Sequence, residues 1–325
     1  MNAPVLQVPS TTQVSALRLW MKGFYWLIKR EFWEHQRRLV WMPAILGVVG
    51  VALSLLSFLL QDPELLGGPL ARAAQQTDFI GIVQTVLIAA VVGHLALASM
   101  LPAVLLFVVP TFTVFFYCLE ALQDDRRDRS ILFWKSLPSS DAATVLSKVC
   151  VALVLAPVIA WGIYCAAAWL MAFMPSKGNE ISGLFWLTPL ELLAILPIYM
   201  LWALPTVGWL LLVSAWARSR PFLWAIGVPV FAVWLVQWSN EVLHYSQDTQ
   251  WLWFDVLARS LFSGSFAAWF TSGLGGSPDL YVPLSMDFVV DSWRALGLPS
   301  LWIGALAGIA MIAIAIRLRR WRTAD

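Results

Sequence analysis

Charge is scarce in this chain: 12% of its residues are Asp, Glu, Lys or Arg, where a soluble globular domain carries about 25%. A protein that must keep 60% apolar residues away from water cannot do so behind so thin a charged shell, so a lone soluble core is excluded. Cysteine is nearly absent; the three present, Cys118, Cys150 and Cys165, are odd in number and lie in or beside apolar runs, which argues for packing and against a disulfide framework. No G-x-x-x-x-G-K-[ST] stretch occurs, so the chain builds no phosphate-cradling loop of its own. Metal-site signals are equally thin, because Glu34-His35 is only a fragment of an H-E-x-x-H helix and the other histidines, His94 and His244, are distant in sequence. No metal site and no catalytic residue is expected. The first forty residues offer no uninterrupted apolar core with a small-residue cleavage site, since Arg18, Lys22, Lys29 and Arg30 break every candidate, and no cleaved signal peptide is expected.

What is present is apolar and long. Crossing a ~30 Å hydrocarbon core takes about 20 helical residues, and such runs recur along the 325-residue chain. They are continuously apolar rather than alternating, which points to an all-α polytopic membrane protein and not to a barrel. Six transmembrane helices are predicted at about 41–60, 101–122, 149–174, 190–216, 222–238 and 300–316. Residues 1–15 read as a disordered tail. Residues 16–40 read as an amphipathic helix in the membrane interface, with Leu17, Trp20, Phe24, Leu27 and Ile28 on one face and the basic residues largely elsewhere; a helix packed on another domain is the alternative. Ile80–Ser99 is apolar enough to cross, but Met100 alone separates it from the run that begins at Leu101, too little for a helical hairpin, so Phe79–Met100 is taken together. It is read as an outer-face extension bent near Pro102. The segment 239–299 is the largest outside the spans, and its Val256–Phe270 portion is expected to be a re-entrant or surface helix. Residues 317–325 form a basic tail.

Charge sets the sidedness. Six Lys and Arg precede Trp41, five lie between Glu120 and Lys148, two are Arg218 and Arg220, and four follow Ile316. With six spans all of these are cytoplasmic, and only Arg72, Lys177, Arg259 and Arg294 face out. A seventh span at 80–99 would export most of the later groups against the positive-inside rule. Both termini are therefore expected in the cytoplasm.

Within the spans, polar residues are few: Gln84, His94, Glu191, Thr206 and Gln237 stand out, and each is either a site candidate or a locally paired group near a span end. Gln237, flanked by Trp234 and Trp238, is the most path-like, although Trp at a span end is also an ordinary anchor. Gly304-x-x-x-Gly308 in the last span permits close helix approach, either within the chain or to another copy. Pro157, Pro197, Pro205 and Pro229 are expected to bend their spans.

The stretch 120–148 is richer than a connector needs. Asp124–Arg129 forms a mixed-charge turn, Ser130–Leu137 can form a short amphipathic helix stopped by Pro138, and Ser139 or Ser140 caps the helix of the third span, with Asp141 in its first turn. Ile131, Leu132, Phe133 and Trp134 present apolar surface on the cytoplasmic side, which calls for a partner surface or for burial in the interface.

The basic lead-in Lys29-Arg-Glu-Phe-Trp-Glu34, the six-span layout with its long segment after the fifth span, and the core Asp-Asp-Arg-Arg-Asp-Arg-Ser-Ile-Leu-Phe-Trp-Lys at 124–135 together resemble the permease subunit of a bacterial ABC-2 type exporter. The resemblance spans nearly the whole chain and implies a function: forming a translocation path in the cytoplasmic (inner) membrane and coupling it to a separate ATP-binding subunit, on which ATP and Mg are bound. It implies a coupling helix, with Arg129, Ile131, Leu132, Phe133, Trp134 and Lys135 as the ATPase contact. An interfacial helix would present Trp20, Phe24, Lys29, Arg30 and Phe32, and a path between two permease copies would be lined by Thr111, Phe115, Trp234, Gln237 and Trp238. The implied partners are the ATP-binding subunit, a second permease copy or related permease, and membrane lipid; nucleic acid is not among them. The Phe79–Met100 insertion and the extended outer segment depart from the family pattern. A non-transporting membrane subunit and an intramembrane enzyme are the competing classes. The enzyme would need a nucleophile or paired acids at one membrane depth, and the sequence offers no such set.

Overall fold

The computed structural model of the chain describes residues 11–60, 101–127, 140–172, 189–244, 249, 252–264 and 286–321. Its regular elements are all helical among these residues. In order they are α1 (Thr11–Gln36), a π turn (Arg37–Trp41), α2 (Met42–Leu60), α3 (Leu101–Arg127), α4 (Asp141–Cys150), a second π turn (Val151–Leu155) and α5 (Ala156–Ala172). There follow α6 (Pro189–Trp216), α7 (Pro221–Val242), a third π segment (Leu252–Ala258), α8 (Arg259–Phe262), α9 (Met286–Arg294), a 3₁₀ turn (Ala295–Gly297) and α10 (Pro299–Trp321). Five helices in the described residues are long and apolar enough to cross a membrane, so the chain is a multi-pass membrane protein.

Several element bounds differ from the sequence expectation. Helix begins at Thr11, inside the stretch read as tail, and the interfacial helix runs through the π turn into α2 without a break, because nothing between Gln36 and Met42 ends the backbone ladder. The helix of the third predicted span begins at Asp141, where the expected cap places it. Ser140 caps it, its Oγ accepting from the Ala143 N–H at 3.2 Å, which satisfies one orphan donor of the first turn. The fifth span is longer than its apolar run, reaching Val242, and α10 continues through Arg317, Arg319 and Arg320. The expectations for Phe79–Met100 and for 128–139 lie outside the described residues.

α6 is the central helix. Ile195, Ile198, Tyr199, Ala203, Val207, Leu210 and Leu211 are wholly buried, and α3, α10, α8 and α9 all pack on it. α10 reaches it through glycine: a Cβ on Gly308 would sit 2.6 Å from the carbonyl carbon and oxygen of Leu204 and 2.8 Å from Pro205 N. Gly208 meets the backbone of Gly308 in return. The small residues thus bring two backbones together, the usual device where lipid is as apolar as the packing surface. This answers the Gly304-x-x-x-Gly308 question within the chain, since Gly304 lies against the Arg259 guanidinium.

One end of the bundle gathers opposite charges. Arg38 pairs with Glu120, Arg319 Nε lies 3.5 Å from Asp141 Oδ1, and the Leu122 and Gln123 N–H groups donate to Ser214 Oγ at 3.1 and 3.2 Å. The base of α1, the end of α3, the start of α4 and the ends of α6 and α10 therefore share one end. The start of α10 lies at the other, where Arg259 Nη1 donates to Ser300 O at 2.6 Å and Tyr199 OH donates to Gly264 O at 3.0 Å. Val256–Phe262 belongs to this second end, packed on α6, with Arg259 and Leu261 buried.

Candidate functional site

The apolar side of α1 that faces the bundle carries Ile28 and Phe32, and between them it carries Glu31. Glu31 is 1% exposed, as is Lys148 of α4. Lys148 Nζ donates to Glu31 Oε1 at 2.9 Å, Tyr117 of α3 donates its hydroxyl to Glu31 Oε2 at 3.2 Å, and Arg30 Nη2 donates to Oε1 at 3.0 Å. Arg30 Nε also lies 3.1 Å from Glu34 Oε1. His35 Nδ1 sits 3.2 Å from the Glu31 carbonyl oxygen, and its ring meets Tyr117 edge to face with centroids 5.0 Å apart. One carboxylate thus joins three helices.

Isolated, either buried charge would be costly to hold away from water; together each offsets the other, and the Tyr117 hydroxyl and Arg30 donate to the same carboxylate. Glu31, Glu34 and His35 can each turn one ligand atom toward a common point. The Lys148 ammonium and the Arg30 guanidinium already stand there as counter-cations, so a dication would have to displace both. Cys118 of α3 is fully buried. What this arrangement supplies is a buried ion pair between α1 and α4, to which α3 adds the Tyr117 hydroxyl.

Of the residues singled out from the sequence, Arg30 belongs to this joint and Phe32 packs beside it. Trp20 stacks on Phe24 at 5.3 Å, and the ammonium of Lys29 lies 4.8 Å over the Trp26 ring. Arg129, Ile131, Leu132, Phe133, Trp134 and Lys135 lie outside the described residues, although the helices on both sides, α3 and α4, are the ones Glu31 ties together. Thr111 and Phe115 are buried within the chain, and Phe115 meets Phe222 of α7 at 6.2 Å. Trp234 and Trp238 instead stack on one another at 6.4 Å on a half-exposed face of α7, with Gln237 between them half-buried. The buried pair and the exposed pair thus face different surroundings. Thr206 is a structural group: its Oγ1 donates to Arg259 O at 2.6 Å and lies 2.6 Å from Ser263 Oγ.

Glu31, Tyr117 and Lys148 were not singled out from the sequence. Lys148 counted there as one more loop cation; the signal lay in its neighbours, since Val145, Val149 and Val151 place it on an apolar helix where a lone ammonium needs a counter-ion. The chain matches no protein-family model, no curated protein and no solved structure.

Proposed function

We propose that this chain is the membrane-spanning permease subunit of an ATP-driven exporter of the cytoplasmic membrane. Six helices cross in this reading, α3 among them, with both termini and the 128–140 loop on the cytoplasmic side. A separate ATP-binding subunit docks on that loop, and two permease subunits form the path. The chain itself performs no covalent chemistry.

The observation that carries the reading is the joint at Glu31. Lys148 of α4 and Tyr117 of α3 both close on a residue of α1, so the two helices that flank the loop are fixed to the basic, aromatic lead-in helix. A loop that only linked two spans would not need its flanks fastened to a third element. A force applied at 131–135 would reach α1 through α4 and the Glu31–Lys148 pair. The charge distribution agrees, since the same end collects Arg38, Glu120, Asp141 and Arg319.

Co-expression with an ATP-binding subunit encoded beside it, purification of the complex and measurement of ATP hydrolysis in lipid test the reading. Association, with hydrolysis weakened by Phe133→Ala and Trp134→Ala, is the expected result. If no ATPase associates, or if the double substitution leaves assembly and hydrolysis unchanged, the reading is wrong.

A further inference from the structure

The chain contains one short pattern twice: Leu39-Val40-Trp41-Met42-Pro43 and Leu153-Val154-Leu155-Ala156-Pro157. In both places the residues ahead of the proline are a π turn, Arg37–Trp41 and Val151–Leu155. The Met42 N–H donates to Arg37 O and the Ala156 N–H to Val151 O, each five residues back. Proline contributes to both, although Pro110, Pro197, Pro205 and Pro229 lie in α-helix without such a turn. It has no N–H to offer the carbonyl four residues earlier, here Leu39 and Leu153, and its ring crowds that carbonyl. Widening the preceding turn by one residue relieves the crowding and leaves a π bulge, a recognised site of helix bending.

The two bulges also lie at nearly one level. They are centred ~12 Å beyond Glu31 and ~8 Å beyond Lys148 along helices that rise ~1.5 Å per residue, and Glu31 and Lys148 are themselves in contact. Below the bulges α1 packs on α4; above them α2 packs on α5. Each pair is fastened, the lower by the Glu31–Lys148 ion pair and the upper where Gly47 approaches Ile163, a Cβ there falling 3.1 Å from Cγ2. Leu39, Val151 and Ala152 bury the inner sides of both turns, so bending there exposes no core to lipid.

From this we infer that the two π turns form a double hinge, on which α1 and α4 swing as one body against α2 and α5. Among its contacts with the rest of the bundle, a swing would exchange the Tyr117 hydroxyl to Glu31 at 3.2 Å and the Arg319–Asp141 pair at 3.5 Å, while Arg38, paired with Glu120, sits in the first π turn itself. That an ATPase drives the swing rests on the permease reading; that the hinge exists does not.

Distances between spin labels on the purified full chain in lipid nanodiscs, with no other subunit present, test it. The labels are attached through a keto-bearing residue at Lys22, Leu146 and Ser219, all exposed, so that the native cysteines stay in place. A bend of ~20° displaces Lys22, ~25 Å from its hinge, by ~9 Å, and Leu146, ~10 Å from its own, by ~4 Å. The Lys22–Ser219 and Leu146–Ser219 distances should each show two populations with separations in about that ratio, while Lys22–Leu146 stays single and narrow. Pro43→Ala with Pro157→Ala should merge the two populations into one. Single narrow distances to Ser219 in the unsubstituted chain, or a Lys22–Leu146 distance as broad as the others, would overturn the hinge. Failure of an ATPase to associate would instead sink the permease reading and leave these distances standing.

Discussion

Glu31 and Lys148 are 117 positions apart, and their charged groups meet at 2.9 Å inside the bundle. Few contacts in the chain join so much sequence at so little exposure. Replacing one partner leaves the other charged and desolvated, whereas replacing both leaves an apolar contact between two helices.

Glu31→Gln and Lys148→Met, taken singly, should each destabilise the protein by about 3–5 kcal/mol, and Glu31→Leu combined with Lys148→Met by much less than the two together. Reversible unfolding in detergent, run as a double-mutant cycle, measures the difference. Additive losses would mean that the two groups do not share one desolvated site.

Gly308→Ala places a methyl against the Leu204 backbone, which cannot turn aside as a side chain can, so α6 and α10 must separate. A loss of about 1–3 kcal/mol is expected. Gly162→Ala is the matched control: no atom lies within 4 Å of the Cβ it would add, and helix propensity alone should raise stability by up to about 1 kcal/mol.

Arg259 lies with its guanidinium 4.1 Å over the Trp202 ring while Nη1 and Nη2 donate to Ser300 O and Leu301 O at 2.6 and 3.3 Å. Lysine cannot reproduce a planar fork that stacks and donates twice. Arg259→Lys should cost about 1–3 kcal/mol, and Arg218→Lys, on the exposed turn before α7, less than about 0.5 kcal/mol; thermal unfolding of the two variants side by side checks this.

Ser219 and Trp321 share one end of the bundle, and in the permease reading that end is cytoplasmic. Cysteines introduced by Ser219→Cys and Trp321→Cys, both at exposed positions, should react with a membrane-impermeant maleimide only after the cytoplasmic face is opened. Labelling of one from outside in intact cells and of the other from inside would contradict the packing of α6 and α10 described above.

Local chemistry made much of this architecture legible. Run length and the scarcity of charge specified an all-helical membrane protein, because a helix is the economical way to satisfy backbone polar groups in hydrocarbon. Ser140 was readable as a cap since its partner, Ala143, is three residues away. Pro43 and Pro157 act on carbonyls four residues back, so their turns are local as well. Helix continuity from α1 into α2 was not readable, because the change from charged to apolar residues at Arg38 looks like an element boundary while the backbone crosses it unbroken.

The sequence by itself determined the class of fold and which loops carry the cations. Only the tertiary structure decided that Glu31 meets Lys148, that Gly308 faces α6 and not another copy, and that Arg259 is buried against Trp202. The reason is physical: in a bundle surrounded by lipid, the buried and the lipid-facing sides of a helix draw on the same apolar residues. A helix packed on by several others, as α6 is, therefore carries no single stripe to say what it packs on. Partners far apart in sequence are chosen by the docking of whole helices, and one-dimensional patterns do not record that choice.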